Sequence, residues 1–212
     1  ATPGPPGAPA SWSKTPLALL TAIFFCNFLA RIILSPLMPT VEADLGLGHG
    51  EAGSLFLATA AGYMLALLAS PLISSRFQHR AVIIGSTVCV ALALGAASLS
   101  AGPSSLRASL LAVGMGAGFY LPSGLATLTA SVPKSLWGRA IGVHEVAPNS
   151  AFILAPVVAE LLLQGATWRG GLRAVAAAIL LAGALFAWRC PQGNFRGKPP
   201  QSAALKRLGR DP

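Results

Sequence analysis

Between Leu17 and Trp188 the chain carries six apolar stretches of membrane-crossing length, and nearly every charged residue falls in the gaps between them. A run of about 20 apolar residues matches the hydrocarbon thickness of a bilayer. Backbone in that environment closes its own hydrogen bonds in a helix or a closed barrel. The stretches cover Leu17–Met38, Gly53–Ser74, Ala81–Ser100, Leu106–Ala130, Arg139–Leu163 and Gly170–Trp188. Charged residues are only 10% of the chain, against about 25% in a soluble domain. A soluble protein with one buried helix does not fit, because nearly every helix would have to be the buried one. The sequence therefore predicts an all-α membrane protein of six transmembrane helices over residues 17–188. Residues 1–16, rich in Pro and Gly, read as a disordered tail without the basic start of a signal peptide. Residues 189–212 read as a solvated basic tail.

Lys and Arg are distributed unevenly about these stretches. One side collects Lys14, Arg76, Arg80, Lys134, Arg139 and the tail residues from Arg189 to Arg210. The other has Arg107, Arg169 and Arg173 beside the acidic turn of Glu42, Asp44 and Glu51. The positive-inside bias then predicts both termini in the cytoplasm, in keeping with an even number of spans. The net charge of +9 is a topology signal with some attraction to the lipid bilayer. A nucleic-acid partner is not expected, since the basic residues are scattered over loops without interleaved aromatics. Cys26, Cys89 and Cys190 lack metal-ligand spacing and read as apolar filler. No metal, cofactor or enzymatic nucleophile–base arrangement is called for. Within the spans, Gly114 and Gly118 in the fourth, and Gly138 and Gly142 at the start of the fifth, have the small-xxx-small spacing that lets helices approach closely.

Ionisable residues inside a span are costly and normally face a cavity or a partner. Asn27, Arg31 and Ser35 recur every four residues, on one helical face. Tyr120, Ser123 and Thr127 form a similar stripe in the fourth span, and His144, Glu145 and Asn149 mark the fifth; Thr59, Tyr63 and Ser70 form a milder stripe in the second. Several helices with one polar face each point to a water-accessible cavity. The competing reading for Ser, Thr and Tyr is bonding to nearby backbone carbonyls, and for Arg31 and Glu145 an ion pair or snorkelling. A direct Arg31–Glu145 pair is not favoured, because the two lie roughly 6 and 9 Å from the centres of their spans, on opposite sides of the midplane. His144 and Glu145 are candidates for a proton-coupling pair, although neighbouring residues point about 100° apart on a helix.

Six spans, a basic turn after the second and a Gly-rich fourth resemble the N-terminal six-helix half of a major facilitator superfamily transporter. The family's loop motif Gly-x-Leu-Ala-Asp-Arg-x-Gly-Arg-Arg aligns with "PLISSRFQHR" at 71–80, where Arg76 and Arg80 match. Pro71 and Gln78 replace its glycines, Ser75 its aspartate and His79 one arginine. "SVPKSLWGRAIG" at 131–142 is similar to the family's entry into the fifth span. "APNSAFILAP" at 147–156 lies where its Gly-Pro repeats fall, and "TWR" at 167–169 resembles the entry to the sixth. In the fourth span Leu110 stands where the family often has an Arg, with Arg107 displaced outward.

The resemblance implies a secondary active transporter that binds a small solute near the midplane and works by alternating access, with spans one and four lining the cavity. Arg31 then becomes the contact for an organic anion, with Asn27, Tyr120, Ser123, Thr127 and Asn149 as neutral neighbours. Glu145 and His144 take the proton-coupling role, and Arg76 and Arg80 the cytoplasmic loop. Family members have about twelve spans in two halves. A second six-helix half or a homodimer is therefore the expected partner, in a plasma membrane. The alternatives are a non-transporting half-transporter acting as a membrane subunit or interaction partner, and an inactive fragment.

Overall fold

The computed structural model describes residues 13–198, and the expected 1–16 tail and the end of the 189–212 tail lie largely outside them. Helices α1 (Thr15–Ile32) and α2 (Leu34–Leu45) share the first span and meet at a break around Ile33. Pro36 explains the break. It has no N–H for the Ile32 carbonyl, and its ring crowds that carbonyl, so it sits in the first turn of a new helix. Gly46 then ends α2 in the left-handed conformation, with φ 64°. The other spans are α3 (His49–Arg76), α4 (His79–Ser98), α5 (Pro103–Ala130), α6 (Trp137–Gly165) and α7 (Trp168–Arg189). Among the described residues, six helical segments are long and apolar enough to cross a membrane. No helix-breaking signal marks where a span leaves the hydrocarbon, so several run a few residues beyond the predicted stretches.

The tightest seam is α3 on α5. A Cβ on Gly114 would lie 2.0 Å from the Thr59 carbonyl oxygen, and one on Gly62 would lie 2.0 Å from that of Leu111. Gly118 meets Tyr63 and Ala66 in the same seam, while Gly116 faces Val90 of α4. The expected role of the Gly114–Gly118 pair is thus met, and the run between them serves two neighbours. Gly138 and Gly142 behave differently: a Cβ on either would meet open space. Both lie on the exposed side of α6, so this pair makes no close helix crossing among the described residues.

The two ends of the bundle are closed by different chemistry. At the acidic end, Asp44 accepts hydrogen bonds from the Trp168 indole and from Arg169, whose other nitrogen donates to the Ser100 carbonyl at 3.0 Å. Arg173 donates to Ser98 and Arg107 to Ser54. At the basic end, Arg80 donates to the Cys190 carbonyl at 3.1 Å and to that of Ala187. It thereby covers the negative end of the α7 dipole. Arg76 is exposed and makes no such bond among the described residues.

Where a solvated tail was expected after Trp188, residues 190–197 fold back on the α3–α4 turn. The His79 and Arg80 amides donate to Phe195 and Gly193 at 3.0 and 2.9 Å, and the Gly197 amide donates to Ser74 at 2.8 Å. Gly193 has φ +91°, and a Cβ there would lie 3.0 Å from the Arg80 nitrogen, so glycine is required. Pairing with another segment's backbone amides is invisible to a composition-based reading of residues 190–197.

Candidate functional site

Helix α1 carries two of the predicted site residues together. Asn27 is 2% exposed, and neither its amide oxygen nor its amide nitrogen has a partner. One turn away, the Arg31 guanidinium lies over the Tyr63 ring at 3.9 Å from its centroid and beside Phe28 at 5.1 Å. Its Nε is buried without a partner, and no described carboxylate lies within ion-pair distance. Arg31 opens into a cleft of about 330 Å³ lined also by Ser35, Pro36, Phe56, Phe152 and Pro156. A buried polar atom without a partner costs about 1–3 kcal/mol, and several such atoms in one place call for an explanation. Tyr63, noted in the sequence only as part of a polar stripe, is the ring that holds Arg31.

Tyr120 belongs to a second cluster. Its hydroxyl donates to the Leu20 carbonyl at 2.6 Å and lies 3.1 Å from His144 Nε2. Phe24 stacks on the His144 ring, centroids 4.5 Å apart. Because the tyrosine proton is committed to Leu20, Nε2 is the donor in the His144 contact. That leaves Nδ1 as an acceptor, facing the Glu145 carboxylate at 3.6 Å. Two acceptors in opposition are satisfied by one added proton. His144 is fully buried, whereas Glu145 is about half exposed. The angular separation of adjacent residues is therefore bridged by the flexible carboxylate curling back.

The remaining predicted residues go elsewhere. Ser123, fully buried, accepts or donates at 3.1 Å to Nδ1 of His79, a histidine expected in a loop but found buried at the start of α4. Thr127 is buried beneath Gly193, one turn further toward the basic end. Asn149 is exposed and donates to the Glu145 carbonyl of its own helix at 2.9 Å. The stripe of α5 is thus divided between two places, with Tyr120 at the α1–α6 contact and Ser123 and Thr127 under the returning segment. Many other hydroxyls bond carbonyls of their own helix, as with Thr59, Ser86 and Thr87.

This arrangement of helices has known counterparts. The Major Facilitator Superfamily model matches residues 20–212. Among curated relatives, an uncharacterized MFS-type transporter of Mycobacterium tuberculosis is 27% identical over 165 residues, covering 76% of this chain and 28% of the relative. The chloramphenicol resistance protein of Streptomyces lividans is 29% identical over 200 residues, covering 90% of this chain and 50% of the relative. The chain thus spans half or less of the length of these relatives. A bacterial homolog of the human lysosomal transporter Spinster, in an inward-facing and unoccupied conformation, superposes with TM-score 0.78 at 17% identity, over 92% of this chain and 47% of that one. A peptide transporter crystallised with sulfate gives TM-score 0.76 at 15% identity, over 92% and 42%. The chain is an integral, multi-pass membrane protein and belongs to the Major Facilitator Superfamily of transporters.

Proposed function

We propose that this chain forms one six-helix half of a secondary transporter that moves a small organic anion by alternating access, with Arg31 as the anion contact. One observation carries the reading: among the described residues Arg31 has no carboxylate to neutralise it, and it stands one turn from an amide with both polar atoms unsatisfied. A carboxylate or similar oxyanion supplies the missing charge, and Arg offers it a fork of donors. Asn27 takes the solute's remaining polar group. The Tyr120–His144–Glu145 cluster is the site of coupling to a proton. A second six-helix half, from another chain or a second copy, covers α3 and α6, whose spans are the least buried at 28% and 22%. The termini lie in the cytoplasm, by the distribution of Lys and Arg, and the protein in the plasma membrane.

The test is uptake by cells expressing the protein, with a panel of organic anions and with Arg31→Gln and Arg31→Lys. Anion transport is lost in the first and partly kept in the second. The similarity to a chloramphenicol resistance protein favours a second reading, in which the solute is an uncharged drug. That reading predicts chloramphenicol resistance that Arg31→Gln leaves intact.

A further inference from the structure

A larger cavity, of about 470 Å³, lies at the basic end between the start of α1 and the start of α6. Its charges are Lys14 and Arg139, and among the described residues no acidic one lines it. Both cations are exposed, and neither has an ion-pair partner among the described residues. Thr21 lines the same space, with its hydroxyl buried and unpartnered. The rest of the wall is apolar, chiefly Leu17, Leu136 and Val143. Next to Leu136, Trp137 donates its indole N–H to the Thr129 and Val132 carbonyls while its ring stays 37% exposed. Such half-exposed indoles mark the headgroup level of a bilayer. From Val143, 43% exposed, the apolar surface continues one turn further to Val146, 56% exposed.

We propose that this cavity holds an anionic glycerophospholipid. Its phosphate sits between Lys14 and Arg139, and an acyl chain follows Leu17, Leu136 and Val143 toward Val146. Two cations, a spare hydroxyl and an apolar wall leading away from them match the division of such a lipid into charged head and hydrocarbon tail. Basic pockets between transmembrane helices recognise anionic headgroups in this way. A soluble phosphate uses the same cations but gains nothing from the wall. The proposal does not depend on what Arg31 binds, and it assigns to lipid only the basic-end turns of α6 from Leu136 to Val146, the second half covering α6 beyond them.

Native mass spectrometry of the full chain, with phosphatidylglycerol or phosphatidylcholine added separately and inorganic phosphate then titrated against bound phosphatidylglycerol, tests it. Phosphatidylglycerol should be retained over phosphatidylcholine. Lys14→Gln with Arg139→Gln should cut that preference by roughly 25-fold, at about fivefold per basic residue. Both side chains are exposed, so the double variant opens no internal hole. If it nevertheless misfolds, the wild-type preference decides, and should fall as salt rises from about 50 to about 500 mM. Equal retention of the two lipids overturns the proposal. So does displacement of phosphatidylglycerol by inorganic phosphate, which makes the site one for soluble anions. A second protein chain in place of lipid overturns it too.

Discussion

The seam between α3 and α5 and the gap between α1 and α6 are both built from helices apolar enough to cross a membrane, yet they are finished in opposite ways. In the seam, glycines bring backbones so close that no added carbon fits. Along α1 and α6, the rings of Phe28 and of Tyr63 on α3 hold Arg31, polar atoms stay without partners, and two clefts remain open. Close packing gives a rigid unit with one arrangement. Buried polar groups without partners call for an explanation that the described helices do not supply.

The contrast is broken most sharply by adding a side chain to the seam. Gly114→Leu should prevent the bundle from assembling, since overpacking costs about 1–3 kcal/mol even where neighbours yield, and here the obstacle is the Thr59 backbone. Size-exclusion of detergent-extracted protein should show aggregate in place of a single species. A smaller loss follows Tyr120→Phe, which removes the acceptor for His144 Nε2 and leaves a buried group unpaired, at about 1–3 kcal/mol. Nitrogen NMR of labelled histidine should report a proton on Nε2 of His144 in the wild type, and the variant should lose that preference.

Arg80→Gln probes the basic end. Cys190 is fully buried, and burial pushes its thiol above the ordinary range, so a soluble maleimide reaches it only when residues 190–197 lift. Removing the two Arg80 bonds should speed its labelling roughly tenfold, equivalent to about 1.4 kcal/mol of opening free energy. The smallest effect belongs to Gly142→Leu, on the open face of α6. Its unfolding free energy, followed by thermal melting, should stay within about 0.5 kcal/mol of wild type. A loss as large as that of Gly114→Leu would show α6 to be covered as tightly as the seam.

Six spans were legible because hydropathy over twenty residues is a strong signal, and Gly114–Gly118 because small residues four apart have few other uses in lipid. Gly138–Gly142 has identical spacing and lies in the open. Spacing reports what a helix permits, while the neighbour decides whether the permission is used. Asn27 and Arg31 were legible as one face of one helix. The separation of Tyr120 from Ser123 and Thr127 was not. All three share a face of α5, but α1 and α6 cross it at one level and the segment after α7 at another. Tyr63 as the platform for Arg31, His79 as the partner of Ser123 and Gly193 as the cover of Thr127 are contacts between distant elements, which periodicity does not encode.

The central claim is that Arg31 awaits an anion, and ligand-dependent melting of the purified chain tests it directly. A bound solute at a hundred times its Kd raises stability by about 2.7 kcal/mol. A matching organic anion should therefore raise the wild-type melting temperature, and Arg31→Gln should abolish that rise while melting near the wild type without ligand. If the same anions stabilise both forms equally, the charge of Arg31 is not what binds them. If Arg31→Gln unfolds the protein without ligand, the guanidinium is a structural support of Tyr63 and α1, and the account of the site is wrong.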